Sequence, residues 1–319
     1  MSTFRESFLQ FEPIYQTRVW GGRTLEERFH RPLPNPDSPF GESWDISARE
    51  EADTMVVSGA LSGKTLRELW NDPDQKASIF GPEAPSGERF PLLCKILDAR
   101  DKLSVQVHPP ASVAEELGGE PKTEVWYIAH ADPGAELYVG VRKDVTEAVF
   151  REALENGTVE EYIHSIPVKT GDHIFIPSGR LHAIGAGLLI YEIQQNSDTT
   201  YRVFDWNRLG MSGEPRDLHI EESLRCIDFD DVEPETDQAD GALLCECEHF
   251  RLERHSVGDA DSIFSATDGR FSILTLISGE LSAGGASWSE GDFLIIPAGA
   301  EKELPVASSG GAEFLLTTW

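Results

Sequence analysis

KTGDHIFIPSGRLHAI (Lys169–Ile184) and SEGDFLIIPAGAEKEL (Ser289–Leu304) follow one pattern. Each reads Gly-Asp, a short apolar run, Pro, a small residue and Gly; Gly171-Asp172 leads to Pro177 and Gly179, and Gly291-Asp292 leads to Pro297 and Gly299. Glycine takes the positive φ of a tight turn, and an Asp side chain hydrogen-bonds the backbone beside it, so the pair opens a strand. Proline has no N–H for the ladder and closes it. Two copies about 120 residues apart mean that one β-unit is built twice.

Strand signals dominate between and before the copies: Arg89–Leu97, Lys102–His108, Glu124–Ile128, Asp172–Ile176 and Leu188–Gln194 are short β-branched or aromatic runs bounded by turn residues. Helix signals are fewer. Thr65–Trp70 predicts a short helix, and Asp144–Leu154 a longer one capped at Asn156-Gly157. Thr158-Val159-Glu160-Glu161 has the form of a capping box and predicts a further helix towards Ile166. The acidic stretch Asp228–Asp240 reads as a linker. The repeated pattern resembles the second motif of the cupin family. The fold expected is therefore mainly β, with two cupin-like jelly-roll barrels. Residues 1–235 are expected to form a catalytic, metal-binding domain with a small helical insertion at about 144–166, and 236–319 a degenerate second barrel.

Composition narrows the function class. With 27 Lys+Arg against 56 Asp+Glu the chain carries −29, a surface that repels nucleic acid and anionic membranes. Any basic cluster in such a background needs a local reason. The opening MSTFRESFLQFEP has no apolar stretch of signal-peptide length, and the longest apolar runs are too short to span a bilayer. Four cysteines in 319 residues make no disulfide framework, and Cys245-Glu246-Cys247 lacks the spacing of a zinc knuckle. A cytoplasmic enzyme or binding protein is expected, acting on a small molecule.

In Lys102–His108, Leu103, Val105 and Val107 alternate with Lys102, Ser104, Gln106 and His108. An ordinary half-exposed strand alternates in the same way. Gln106 and His108 would also project from one face, two residues apart, as two ligands of one metal ion. Lys122 and Glu124 repeat that spacing, and His182 follows the Pro-x-Gly turn. Singly, each has a bland role as a surface or turn residue. Jointly, two imidazoles, a carboxylate and an amide oxygen suit Zn²⁺ or another borderline divalent cation. Lys95 interrupts the apolar run Leu92–Leu97, so its stem either reaches solvent or its ammonium meets an anion. Arg202 either pairs with Asp198 or serves a ligand. Lys95, Lys102, Lys122 and Arg202 gathered at one site would be explained by a phosphate dianion.

QVHP (Gln106–Pro109), KTEVWY (Lys122–Tyr127), GRLHAIG (Gly179–Gly185) and EIQQNSDTTYRVFDW (Glu192–Trp206) resemble the type I mannose-6-phosphate isomerase (phosphomannose isomerase) family, with WGG (Trp20–Gly22) and GESWDIS (Gly41–Ser47) upstream in the same order. The likeness covers about residues 11–225, and the length matches the short bacterial branch. It implies Zn²⁺ ligands at Gln106, His108, Glu124 and His182, catalytic roles for Arg202 and Lys122, and substrate contacts from Lys95, Ser104, Asp198 and Arg208. The implied reaction interconverts D-mannose 6-phosphate and D-fructose 6-phosphate through a metal-assisted cis-enediol(ate). Lys122, a metal-bound water or Asp198 would move the proton. Two rival readings are a sugar-binding cupin without catalysis and an iron-dependent cupin oxygenase. In the second copy Lys302 stands where His182 stands in the first. An ammonium offers no lone pair, so no second metal site is expected.

Overall fold

The computed structural model describes residues 8–87, 89–258, 262–265, 269–283, 285–298, 300 and 303–319. Gly299 and Lys302, which figured in the comparison of the two copies, lie outside the described residues. The chain divides into two compact units, one of Tyr15–Ser43 and Lys95–Asp237, the other of the residues up to Ile14, Trp44–Cys94 and Gln238 onward. Among the described residues no helix is long and apolar enough to cross a membrane.

The first unit holds two antiparallel sheets. Their strands are β1 (Ile14–Gly22), β2 (Phe40–Ile46), β3 (Leu92–Ala99), β4 (Val105–Val107), β5 (Glu124–Ala131), β6 (Glu136–Val141), β7 (Ile163–Pro167), β8 (His173–Ile176), β9 (His182–Ile184), β10 (Leu188–Gln195) and β11 (Tyr201–Phe204), of which β1, β2 and β3 each have one end among the residues of the other unit. One sheet runs β8-β5-β10-β3-β1-β2 and the other β7-β6-β9-β4-β11. Trp126, Ile128, Ile174, Ile176 and Ile190 from the first sheet meet Leu137, Val139, Ile166 and Ile184 from the second in one buried cluster. This is the two-sheet, mainly β, cupin-like architecture expected. Val105 and Val107 face the other way, into a second cluster with Phe150, Leu181 and Leu224. The residue between them, Gln106, is thereby turned towards the barrel interior.

The repeated turn is the same object in both units. At the first copy Gly171 has φ 93°, its N–H donates to Ile128 O (2.9 Å), Ile128 N–H donates to Asp172 O (2.9 Å), and Lys169 N–H donates to Asp172 Oδ2 (2.9 Å). At the second Gly291 has φ 92°, its N–H donates to Leu276 O (2.8 Å), Leu276 N–H donates to Asp292 O (2.9 Å), and Ser289 N–H donates to Asp292 Oδ2 (2.8 Å). A strand follows each, His173–Ile176 and Phe293–Ile296.

Three local expectations need revision. The capping box at Thr158 does not operate: Thr158 makes no side-chain cap, Val159–Tyr162 is one 3₁₀ turn, and Ile163–Pro167 is β7. Pairing with β6, Leu137 opposite Ile166, claims that segment before a helix can form. The insertion's helix is thus confined to α1 (Glu147–Asn156), N-capped by Thr146 and closed by Gly157 in the left-handed conformation, as Asn156-Gly157 predicted. Second, the strand expected at Lys102–His108 begins only at Val105, and Leu103 joins the interior cluster. Lys102 leaves the site, its Nζ lying 4.9 Å and 4.3 Å from the ring centroids of Tyr138 and Trp206. Third, the acidic stretch after Asp228 is irregular but stitched down: Arg180 holds Asp231 through two 2.8 Å hydrogen bonds.

In the second unit, Leu9–Glu12 pairs with Phe293–Ile296, Phe8 packs among Leu274, Trp288 and Phe314, and the rings of Phe80 and Phe90 lie 5.3 Å and 5.5 Å from Phe271. A chain ended at Asp240 loses all of these partners and exposes Phe8, Leu9, Phe80 and Phe90, which are buried in the full chain. It should therefore aggregate. Size-exclusion chromatography of that fragment checks this; a soluble monomer would contradict it.

Candidate active site

Strand register assembles the site. Gln106 on β4 stands opposite His182 on β9 and, on its other side, opposite Arg202 on β11. Directly opposed residues lie close enough for their side chains to interact, and here they do. Gln106 Nε2 is 3.3 Å from His182 Nε2, Ser104 Oγ donates to Gln106 Oε1 (3.3 Å), and Arg202 Nε donates to Ser104 Oγ (3.2 Å). The facing sheet supplies Glu124 at the start of β5, followed on the same interior face by Trp126 and Ile128. His108 lies just past β4.

His108, Glu124 and His182 are buried, and one ligand atom from each falls within 4.8 Å of the others. His108 Nε2 is 3.4 Å from Glu124 Oε2, and His182 Nε2 is 3.8 Å from Glu124 Oε1. Each imidazole presents Nδ1 to a backbone carbonyl, Thr199 O for His108 and Arg180 O for His182, both at 2.9 Å. A carbonyl only accepts, so Nδ1 carries the proton and the Nε2 lone pairs converge on Glu124. His108 Nε2 and Glu124 Oε1 have no hydrogen-bond partner despite their burial. Buried polar atoms are rarely left so, and this set fits a divalent cation.

The electrostatics agree. Burial, with His108 alongside, pushes His182 down to about 3; burial and Lys122 lower His108 as well. Both rings are neutral, as ligation requires. Burial alone would raise Glu124, but the Lys122 ammonium beside it outweighs burial and holds its carboxyl well below the usual range. Lys122 Nζ sits 2.9 Å from Glu124 and 3.8 Å from Glu192. Burial would lower Lys122, yet these carboxylates raise it above the ordinary lysine value, so it is a cation rather than a free base.

Gln106 and Lys122, which touch His182 and Glu124, also line a cavity of about 760 Å³ within the first unit, with Lys95, Ser104, Asp198 and Arg202 among its other walls. Lys95 is 3% exposed and neither reaches solvent nor awaits an anion: Glu42, Glu192 and Asp198 lie 3.8 Å, 3.7 Å and 4.0 Å from its ammonium. Arg202 does not pair with Asp198. It bonds Ser104 and the carbonyl of Asp217 (2.9 Å), and among the described lining cations it alone has no carboxylate partner. Arg208 is turned out of the cavity, its Nη2 2.9 Å from Asp205. Sequence reasoning passed over Glu192, which burial, then Glu124, pushes upward and which accepts Trp126 Nε1–H (2.9 Å). A carboxylate inside the apolar run LLIYEIQ was its signal. Arg216 and His219, also in the lining, carried none.

His182 gives a pH dependence. Its ring sits at about 3 in the fold against an ordinary 6.5. Below the ordinary value the unfolded chain binds a proton that the folded chain does not, so the stability is present above it and lost as pH falls. The Tm of metal-free protein should drop from about pH 7.5 to about pH 5, and His182→Gln should flatten the drop. A pH-independent wild-type Tm over that range would contradict it.

Comparison with known proteins gives the family. Residues 8–120 match the model of the phosphomannose isomerase type I catalytic domain. The mannose-6-phosphate isomerase ManA of Bacillus subtilis is 35% identical over 305 residues, covering 91% of this chain and 93% of that protein. A mannose-6-phosphate isomerase of Streptococcus mutans is 43% identical over 219 residues, 67% of each chain. The crystal structure of the mannose 6-phosphate isomerase from Bacillus subtilis superposes with a TM-score of 0.85 at 30% identity, covering 98% of this chain and 99% of that one. A chain with this site, aligned over nine-tenths of its length with such a relative, belongs to the type I phosphomannose isomerase family.

Proposed function

We propose that this chain interconverts D-mannose 6-phosphate and D-fructose 6-phosphate, an aldose–ketose isomerisation through a cis-enediol(ate), and that it does so as a cytoplasmic enzyme acting on a small sugar phosphate. The observation that carries the reading is the row His182–Gln106–Arg202 on paired strands. Buried acceptors with no hydrogen-bond partner lie behind Gln106 and Lys122, which line one cavity with a guanidinium that has no carboxylate. On this reading the unit of Tyr15–Ser43 and Lys95–Asp237 carries the catalysis, rather than the whole of residues 1–235, and residues 236–319 are assigned no metal.

His108, Glu124 and His182, with Gln106 as fourth ligand, would hold Zn²⁺, which when bound supplies Lewis acidity to the sugar oxygens. Gln106 now turns Nε2 towards His182, and a half-turn of its amide presents Oε1 instead while Nε2 meets Ser104. The remaining work falls to charged side chains. Isomerisation moves a proton from C2 to C1 and builds negative charge on oxygen between the two. Arg202 Nη2, without a partner among the described residues, points that donor at the charge. Lys122, held protonated, donates to a sugar oxygen. Lys95 and Ser104 bind hydroxyls, and Asp198, a half-exposed carboxylate in the lining, is assigned the proton at C2. Arg208 contributes from behind, through Asp205.

Incubating zinc-loaded protein with fructose 6-phosphate and assaying for mannose 6-phosphate tests the function. Binding without turnover would support the sugar-binding cupin instead. His182→Ala should lose its metal while keeping its fold, because the barrel has its own apolar core; full metal content by elemental analysis would contradict the ligand set. Arg202→Ala should lose about 10²–10³ in kcat, the usual cost of one charge-stabilising donor. Near-normal turnover in that variant would return Arg202 to a structural role.

A further inference from the structure

Of the three arginines Arg202, Arg208 and Arg216, the last two share one buried carboxylate, and only Arg202 and Arg216 line the cavity. Asp205 is 6% exposed. It accepts Arg208 Nε (3.0 Å) at Oδ1, and Arg216 Nε at Oδ2 (2.7 Å) and Nη2 at Oδ1 (2.6 Å). Arg208 spends its remaining contacts away from the cavity, on the Lys102 carbonyl and, at 3.5 Å, on Asp101. Arg216 is in the cavity lining with Arg202.

The loop between them is shaped to bring Arg216 inward. Leu209 bridges Pro215, Gly210 N–H donates to Glu214 O (2.8 Å), and Gly213 N–H donates back to Gly210 O (3.0 Å) with φ 80°. A Cβ at Gly210 would fall 3.0 Å from Arg216 Cγ, so the glycine makes room for the arginine stem. Arg216 then returns along the cavity wall with two of its donor positions fixed on Asp205. Its Nη1 has no partner among the described residues, while the side chain is only 22% exposed. The other carboxylates nearby, on Glu214 and Asp217, belong to exposed residues, where water screens them. In a chain of charge −29, a guanidinium held still with its outer edge bare invites an oxyanion.

We propose that Arg216 is the residue that selects the phosphorylated sugar. Its Nη1 donates to an oxygen of the phosphoryl group while Asp205, backed by Arg208, holds the fork in position, and Arg202 is left for the charge that develops on the sugar. This rests on the sugar-phosphate reading above and adds the residue that reads the phosphate.

The test uses zinc-loaded full-length protein and two readouts. Calorimetric titration with inorganic phosphate needs no turnover; steady-state kinetics with mannose 6-phosphate separates KM from kcat. Arg216→Leu should raise both the phosphate Kd and the KM roughly 10–100-fold, the range for one hydrogen bond to a charged group, with a smaller change in kcat. Arg216→Lys, which restores charge without the fork, should recover part of both. Wild-type Kd and KM in Arg216→Leu would overturn the proposal, as would a fall in kcat at unchanged KM. If neither Arg216→Leu nor Arg216→Gln folds, Arg216 is a structural partner of Asp205 and the proposal falls. If the wild type binds phosphate through Arg216 but turns over no mannose 6-phosphate, the reaction assigned above fails and Arg216 stands as an oxyanion site.

Discussion

Everything at this site depends on the register of three short strands, β9, β4 and β11. With His182 opposite Gln106 and Gln106 opposite Arg202, a metal donor, an amide and a guanidinium form one row across the inner face of a sheet. A slip of β4 by one residue would turn Gln106 to the other face and bring Val105 or Val107 inward. Those valines hold the register because they are fully buried on the opposite side, against Phe150 and Leu224. The core on one face of β4 thus positions the chemistry on the other.

The second constraint is charge. Glu42, Lys95, Glu192, Lys122 and Glu124 alternate in sign through the wall, with successive contacts of 3.8, 3.7, 3.8 and 2.9 Å. Buried ions survive only where partners offset their lost hydration, and each member of this chain has one. At one end Glu42 meets Arg18 (2.8 Å), and at the other Glu124 faces imidazole lone pairs instead of a second cation. Arg202 stands outside this chain and faces no carboxylate at all. Outside charge completes the site at two places: a divalent cation beside Glu124 and an anion beside Arg202. Asp205 follows the same logic further along the chain, with two guanidiniums on one carboxylate.

Much of this was legible in the residues. The Gly-Asp turns and the strands after them follow from local chemistry, and both copies make the same three backbone-anchored hydrogen bonds. His108 and Glu124 drew notice by their two-residue spacing from Gln106 and Lys122, His182 by its place after the Pro-x-Gly turn, and the family resemblance joined the three. What failed did so for tertiary reasons. Thr158 had the residues of a capping box, but strand pairing took the segment. Lys102 belonged to an alternating run, but the ladder starts three residues later, and the aromatic faces of Tyr138 and Trp206 hold its ammonium elsewhere. Arg208 and Arg216 are indistinguishable by type. Only the course of the loop between them decides which one enters the cavity. Glu192 was signalled by a carboxylate in an apolar strand, the same clue that drew notice to Lys95.

The central claim is that the imidazole–carboxylate cluster completes itself with a cation, and the cavity beside it with an anion at the guanidinium. Diffraction at the zinc absorption edge, from crystals grown with zinc and mannose 6-phosphate, tests it most directly. The account predicts a single anomalous peak per chain bounded by His108, Glu124 and His182, with the sugar phosphate between it and the arginines. A zinc peak elsewhere in the chain, or a sugar phosphate bound away from Arg202, would contradict it.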